Sequence, residues 1–86
     1  MKVTGVKWLG LRCKAMVETK LSDLRADLRS KVADADSSVI EAPTPIDADG
    51  SVSMLVPDDD RMGEAAFLVI LIDGEPVAKE QVTIGG

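Results

Sequence analysis

A run of eight apolar residues, Ala65–Ile72, constrains the fold of this chain more than any other feature. An unbroken apolar run of this length, bounded by a turn signal, is typical of a buried β-strand. Asp73-Gly74 follows at once, and a second β-prone segment continues to Ile84. Because Asp-Gly between two such segments favours a tight hairpin turn, the sequence predicts a C-terminal β-hairpin. The core is expected to contain Phe67, Val69 and Leu71, or equally Leu68 and Ile70.

Other segments also carry strand signals. Residues Leu11–Glu18 alternate between apolar and polar, which predicts a half-buried strand with Cys13 facing inward. Shorter strands are predicted at Ser38–Glu41 and at Ser51–Val56. Pro43 and Pro45 close the first of them and indicate a sheet edge or a loop, because proline cannot donate a ladder hydrogen bond. Residues 3–10 are apolar but irregular around two glycines, and no clean strand is predicted there.

The segment Leu24–Val32 is ambiguous. Its alternation favours a strand, whereas Leu21, Leu24, Leu28 and Val32 also recur at helical spacing behind Ser22, a possible helix cap. We predict a strand, because strand signals lie on both sides, and keep a helix over residues 21–32 as the alternative.

Six or seven short strands predict an all-β fold, a small immunoglobulin-like or transthyretin-like β-sandwich. With 86 residues, the chain is expected to form a single domain, residues 1–86. Cys13 is the only cysteine, so an internal disulfide is excluded. The apolar runs are too short for a membrane span or a secretory signal, so we expect a cytoplasmic protein and no membrane partner.

The formal net charge of −5 makes nucleic-acid binding unlikely for the isolated domain. Five of the cations that precede position 32 would form a basic surface if they shared one face. The favoured interpretation is an ordinary solvated sheet face. These cations are Arg12, Lys14, Arg25, Arg29 and Lys31.

No catalytic or metal site is predicted. Asp47-Ala48-Asp49-Gly50 starts like a calcium loop, but its glycine comes too early, and a plain turn is expected. Asp58–Asp60 is expected to be a solvated acidic loop. The chain has no histidine to activate Cys13 or to complete a transition-metal site. We therefore expect no enzyme activity and no cofactor.

Trp8 is the only tryptophan. It is expected either to plug one end of the core or to lie exposed as an anchor for another domain, since Trp is enriched at binding hot spots. Together with Arg12, Arg25 and Arg29, it forms our set of candidate interaction residues.

Four segments resemble the C-terminal region of PglZ-type proteins, members of the alkaline-phosphatase superfamily that act in bacterial BREX phage defence. They are Trp8–Cys13, Leu24–Arg29, Asp47–Ser53 and Val82–Gly86. The resemblance implies an excised C-terminal accessory domain of a larger antiviral protein. None of the family's catalytic or metal-binding motifs occurs here. A carboxypeptidase-regulatory or Cna-B-like sandwich would also carry Asp-Ala-Asp-Gly before a β-run.

The expected function is therefore a non-catalytic accessory domain that docks on a neighbouring domain or on a partner subunit. The alternative is a stand-alone ligand-binding or calcium-binding β-domain that uses Asp47, Asp49 and the Asp58–Asp60 loop.

Overall fold

The apolar run Ala65–Ile72 forms a strand that is buried on both faces in the computed structural model of the chain. Leu68 and Ile70 are fully buried on one face, and Val69 and Leu71 are almost fully buried on the other. Both predicted sets of core residues are thus buried, except Phe67, which is only half-buried. Two covered faces explain why this strand has no polar residue.

The structure describes residues 2–18, 27–34, 39–57 and 59–86, and only the backbone of residues 39–42. A short 3-10 turn covers Asp59–Arg61, and no α-helix occurs in these four ranges. The strands are β1 (Lys2–Leu9), β2 (Arg12–Glu18), β3 (Leu28–Ala33), β4 (Val39–Pro45), β5 (Ser51–Leu55), β6 (Ala65–Ile72) and β7 (Glu75–Thr83).

The strands form two antiparallel sheets that pack face to face. One sheet has three strands in the order β1-β2-β5, and the other has four in the order β4-β3-β6-β7. At one side of the sandwich β1 contacts β7, and at the other β5 contacts β4. This arrangement confirms the prediction of an all-β sandwich.

The core lies between the two sheets and is aliphatic. Ala15, Val52 and Met54 of the three-stranded sheet pack with Val32 and Leu68 of the four-stranded sheet. Apolar area removed from water is the main favourable term in folding such a small domain. The sandwich is therefore held together by interdigitated small and medium side chains, without a buried aromatic cluster.

Strand β1 was not predicted, because a β-bulge interrupts its alternation. The register with β2 shifts between Thr4 and Lys7, and Gly5 has a φ of +59°. A bulge adds one residue to one strand, and glycine adopts a positive φ at no steric cost. Val3 and Val6 therefore both pack against the core, although they are three residues apart.

Strands β3 and β4 partly resolve the other uncertain segments. Residues 28–33 form the predicted strand, with Leu28 and Val32 inward, whereas residues 21–26 lie outside the described residues. Strand β4 continues through Pro43 and Pro45 instead of ending before them. Because the N–H of Ile46 donates to the carbonyl of Leu28 in β3, the position of Pro45, one residue earlier, faces the unpaired side of this edge strand.

Candidate functional site

The candidate cations occupy two opposite surfaces of the sandwich. Arg12 and Lys14 extend from β2 on the outside of the three-stranded sheet, and Arg29 and Lys31 extend from β3 on the outside of the four-stranded sheet. Arg25 lies outside the described residues. A single basic surface formed by all five cations is therefore wrong, because the core separates β2 from β3.

The outward side chains of β1, β2 and β5 form a continuous surface, which we call the three-stranded face. Residues that are paired across neighbouring strands form rows on this face. The first row is Leu9, Arg12 and Leu55, the second is Lys7, Lys14 and Ser53, the third is Thr4, Met16 and Ser51, and the last is Lys2 and Glu18.

Three large aliphatic side chains of the three-stranded face are exposed. Leu9 is 77% exposed, Leu55 is 49% exposed and Met16 is 42% exposed. A single exposed apolar residue is normal on a protein surface, whereas a larger exposed apolar patch rimmed by polar residues marks an interaction site. Leu9 and Leu55 flank Arg12 on its two sides, in the same row.

The three-stranded face is also basic. It carries four cations, Lys2, Lys7, Arg12 and Lys14, and one carboxylate, Glu18. Within the described part of the chain, no carboxylate forms an ion pair with any of these cations. The guanidinium of Arg12 instead donates to the hydroxyl of Ser53 at 3.0 Å.

Lys7 and Lys14 stand directly opposite each other on β1 and β2. Like charges at directly opposed positions of an antiparallel pair are destabilising. Beside them, a depression of about 460 Å³ is lined by Gly5, Met16, Ser51 and Ser53, by the two lysines, and by one carboxylate, that of Asp47. The depression exists because glycine and serine leave little side-chain volume between the longer residues.

The outer surface of the four-stranded sheet is different, because two of its cations, Arg29 and Lys79, already contact other side chains. The Arg29 guanidinium lies 2.9 Å from a carboxylate oxygen of Asp27, and the Lys79 ammonium lies 4.0 Å from the centre of the Phe67 ring. Val69 and Leu71 are buried beneath these long side chains. Among the described large apolar side chains on the strands of this sheet, only Val77 is strongly exposed.

Trp8 is half-buried, so it is neither a fully buried core residue nor a fully exposed anchor, the two alternatives that the sequence left open. It packs against the main core, and it borders a groove of about 290 Å³ shared with Val6, Glu80 and Val82. The groove lies where β1 and β7, the edge strands of their sheets, come together. Trp8 thus closes one side of the sandwich and keeps part of its ring at the surface.

The acidic candidates that the structure describes do not come together as a cluster of metal ligands. Residues 47–50 form the predicted turn, in which the Asp49 carboxylate accepts from the Ser51 amide at 2.9 Å and from its hydroxyl at 2.6 Å. These hydrogen bonds lower the pKa of Asp49. Asp59 and Asp60 lie in the 3-10 turn, and Asp58 is outside the described residues. No group of three or more metal-ligating side chains occurs in the part of the chain that the structure describes.

The comparisons with known proteins find no matching family model, no matching curated protein and no matching solved structure. Within the described ranges, no helix is long and apolar enough to cross a membrane.

Sequence reasoning found part of the three-stranded face and missed the rest. The alternation in Leu11–Glu18 predicted that Arg12, Lys14 and Met16 share an outward side, which the structure confirms. Lys7 and Leu9 were missed, because the bulge in β1 hides their alternation. The pairing of β2 with β5, which brings Leu55 beside Arg12, left no signal in the local sequence.

Proposed function

We propose that this chain is a non-catalytic protein-interaction domain that binds its partner through the three-stranded face. The observation that carries the proposal is the exposure of Leu9, Met16 and Leu55 on one surface that is also cationic. Aliphatic contacts supply binding energy as water is released, and the surrounding charges select the partner and its orientation.

The chemistry of the side chains supports a binding role over catalysis. The sequence contains no histidine, and the thiol of Cys13 is fully buried with its pKa raised to about 11 by burial. A buried, protonated thiol is a poor nucleophile. The alternative calcium-binding role has less support, because the Asp49 carboxylate already accepts two hydrogen bonds from Ser51.

The resemblance to the C-terminal region of PglZ-type proteins suggests a setting for this role. The domain would then be an accessory module of a cytoplasmic phage-defence protein, and its partner a neighbouring domain or subunit. Sequencing the reading frame around this segment tests the setting, because a PglZ-type catalytic domain must then precede it.

Site-specific photo-crosslinking tests the interaction itself. A photoreactive amino acid is placed at Leu9 or at Leu55, and at Val77 as a control that is as exposed as Leu55 but lies on β7. In cells of the natural source, we expect one discrete crosslinked protein, identified by mass spectrometry, from positions 9 and 55 only. Equal crosslinking from position 77, or no discrete product from positions 9 and 55, contradicts the proposal.

A further inference from the structure

We propose that the partner of the three-stranded face is an acidic protein segment with interspersed aliphatic residues. Its carboxylates would pair with Lys7, Lys14 and Arg12, and its aliphatic side chains would contact the exposed Leu9, Met16 and Leu55. The inference rests on the proposed function and names the chemistry of the partner.

The first argument is the distribution of charge. The chain carries 15 acidic and 10 basic residues, yet the strands of the three-stranded face present four cations and one carboxylate, Glu18. Asp47 and Asp49 add two carboxylates at the edge of the face, where both accept from the Ser51 hydroxyl, so the four cations still outnumber the three carboxylates. Such a local reversal of sign attracts an anionic partner and speeds its association. It also orients the encounter, because the rest of an acidic molecule repels the same partner.

The second argument is the opposition of Lys7 and Lys14. Directly opposed residues of an antiparallel pair have Cβ atoms roughly 5 Å apart, so one carboxylate can reach both ammonium groups. In the free domain the two charges repel each other, and no described carboxylate relieves the repulsion. A bound carboxylate converts this unfavourable pair into two favourable ones, which adds to its affinity.

The third argument separates a protein segment from a nucleic acid or a lipid surface. Sheet surfaces that bind single-stranded nucleic acids stack the bases on aromatic side chains. The only aromatic residues of this chain are Trp8 and Phe67, and neither lies on the three-stranded face. A net charge of −5 repels a long polyanion or an anionic membrane more than it repels a short acidic segment.

The test uses defined probes and the whole chain. The first probe is a short fluorescein-labelled peptide in which Glu and Leu alternate, and the second is the same peptide with Gln in place of Glu. Oligodeoxythymidylate and phosphatidylglycerol vesicles are the competing classes. The protein variants are Lys7→Gln/Lys14→Gln and, as a matched control, Lys31→Gln/Lys79→Gln, which removes the same charge from the other side of the sandwich.

Fluorescence anisotropy should show binding of the Glu-Leu peptide at low salt that is much stronger than binding of the Gln-Leu peptide. The Lys7→Gln/Lys14→Gln variant should weaken that binding by roughly fivefold or more, and the control should leave it nearly unchanged. Circular dichroism and thermal melting confirm that each variant is folded.

Three results would overturn the inference. They are failure of the Glu-Leu peptide to bind, equal binding of the Gln-Leu peptide, and tighter lysine-dependent binding of oligodeoxythymidylate or vesicles. The proposed function is tested separately, by the crosslinking from positions 9 and 55, so these three results leave it unaffected. A crosslinked partner that contacts the face through a basic or neutral segment would also overturn the inference while leaving the interaction domain intact.

Discussion

Cys13 shows how a single position of β2 serves the core. It is fully buried and pairs in register with Trp8 on one side and with Met54 on the other. Because burial disfavours the thiolate, the pKa of Cys13 is raised to about 11. The folded pKa exceeds the unfolded one. The contribution of this thiol to stability is therefore complete below the unfolded pKa and is lost as the pH rises towards about 11.

We expect Cys13 to resist labelling by a disulfide reagent in the native protein near pH 8 and to react fully in urea. Labelling should follow the unfolded fraction, because only unfolding exposes the thiol. Urea melts monitored by absorbance of the released thiolate measure this. Rapid stoichiometric labelling without denaturant would show that the thiol is accessible and would contradict its burial.

Gly50 is the residue where the backbone leaves least room. A Cβ built there would lie 2.6 Å from the carbonyl oxygen of Val17, and its φ is +88°. Gly5 also has a positive φ, of +59°, but a Cβ there meets nothing within 4 Å. A side chain at Gly5 would therefore meet only backbone strain, whereas a side chain at Gly50 would meet both strain and a steric clash.

Gly50→Ala should lower the free energy of unfolding by about 2 kcal/mol or more, because strain and a clash with backbone add. Gly5→Ala should cost only about 1 kcal/mol, from the positive φ alone. Chemical denaturation of both variants makes the comparison. Equal losses would show that the turn at residues 47–50 can move away from Val17.

At the scale of strands, β6 is the central element of the four-stranded sheet, with β3 on one side and β7 on the other. Leu68→Ala should cost about 2–5 kcal/mol, because a fully buried leucine leaves a cavity when truncated. Val77→Ala on β7 is the control and should cost less than about 0.5 kcal/mol, since Val77 is 49% exposed. Similar losses for the two variants in urea melts would mean that β6 is not the core strand.

The pairing of β1 with β2 predicts a conflict between stability and binding. Lys7→Glu replaces a like-charge pair with an opposite-charge pair and should stabilise the free domain by about 0.5 kcal/mol. The same change should abolish binding of the Glu-Leu peptide. Lys31→Glu, opposite Val69 on the other sheet, is the control and should change neither property appreciably. A destabilised Lys7→Glu domain would show that the two lysines do not repel each other.

The strands were predictable where side-chain periodicity is undisturbed. Strands β2, β5 and β6 have clean alternation or an unbroken apolar run. Strand β1 was missed because the Gly5 bulge shifts its alternation, and β4 was cut short because prolines are allowed on an edge strand. The three-stranded face was only partly predictable, because its rows depend on register between strands that are distant in sequence.

At the scale of the whole molecule, Trp8 reports on the assembly of the two sheets, since it packs on the core where β1 meets β7. Every sheet contact except the hairpins joins residues that are distant in sequence, and such topologies fold slowly. Stopped-flow tryptophan fluorescence should therefore show a single phase on the millisecond-to-second timescale.

The far-ultraviolet circular dichroism of the folded state should be dominated by strand. A helix-dominated spectrum would contradict the fold.

The hairpin arrangement of β1 and β7 also determines how the domain responds to mechanical force. Each is an edge strand, and Lys2 and Thr83 lie at the open ends of their hairpins, opposite the turns. Val3 packs near Ala78 at the start of β7, and Trp8 packs near Val82 at its end, so the two strands run in the same direction and Lys2 and Thr83 lie at opposite ends of the sandwich. Tension applied at these two points therefore acts along the strands and loads the cross-strand hydrogen bonds of each hairpin together, in shear. We expect the domain to resist such tension until these bonds break together. Because β1 carries Lys7 and Leu9, detachment of this strand under force would remove one side of the three-stranded face and with it part of the proposed binding surface.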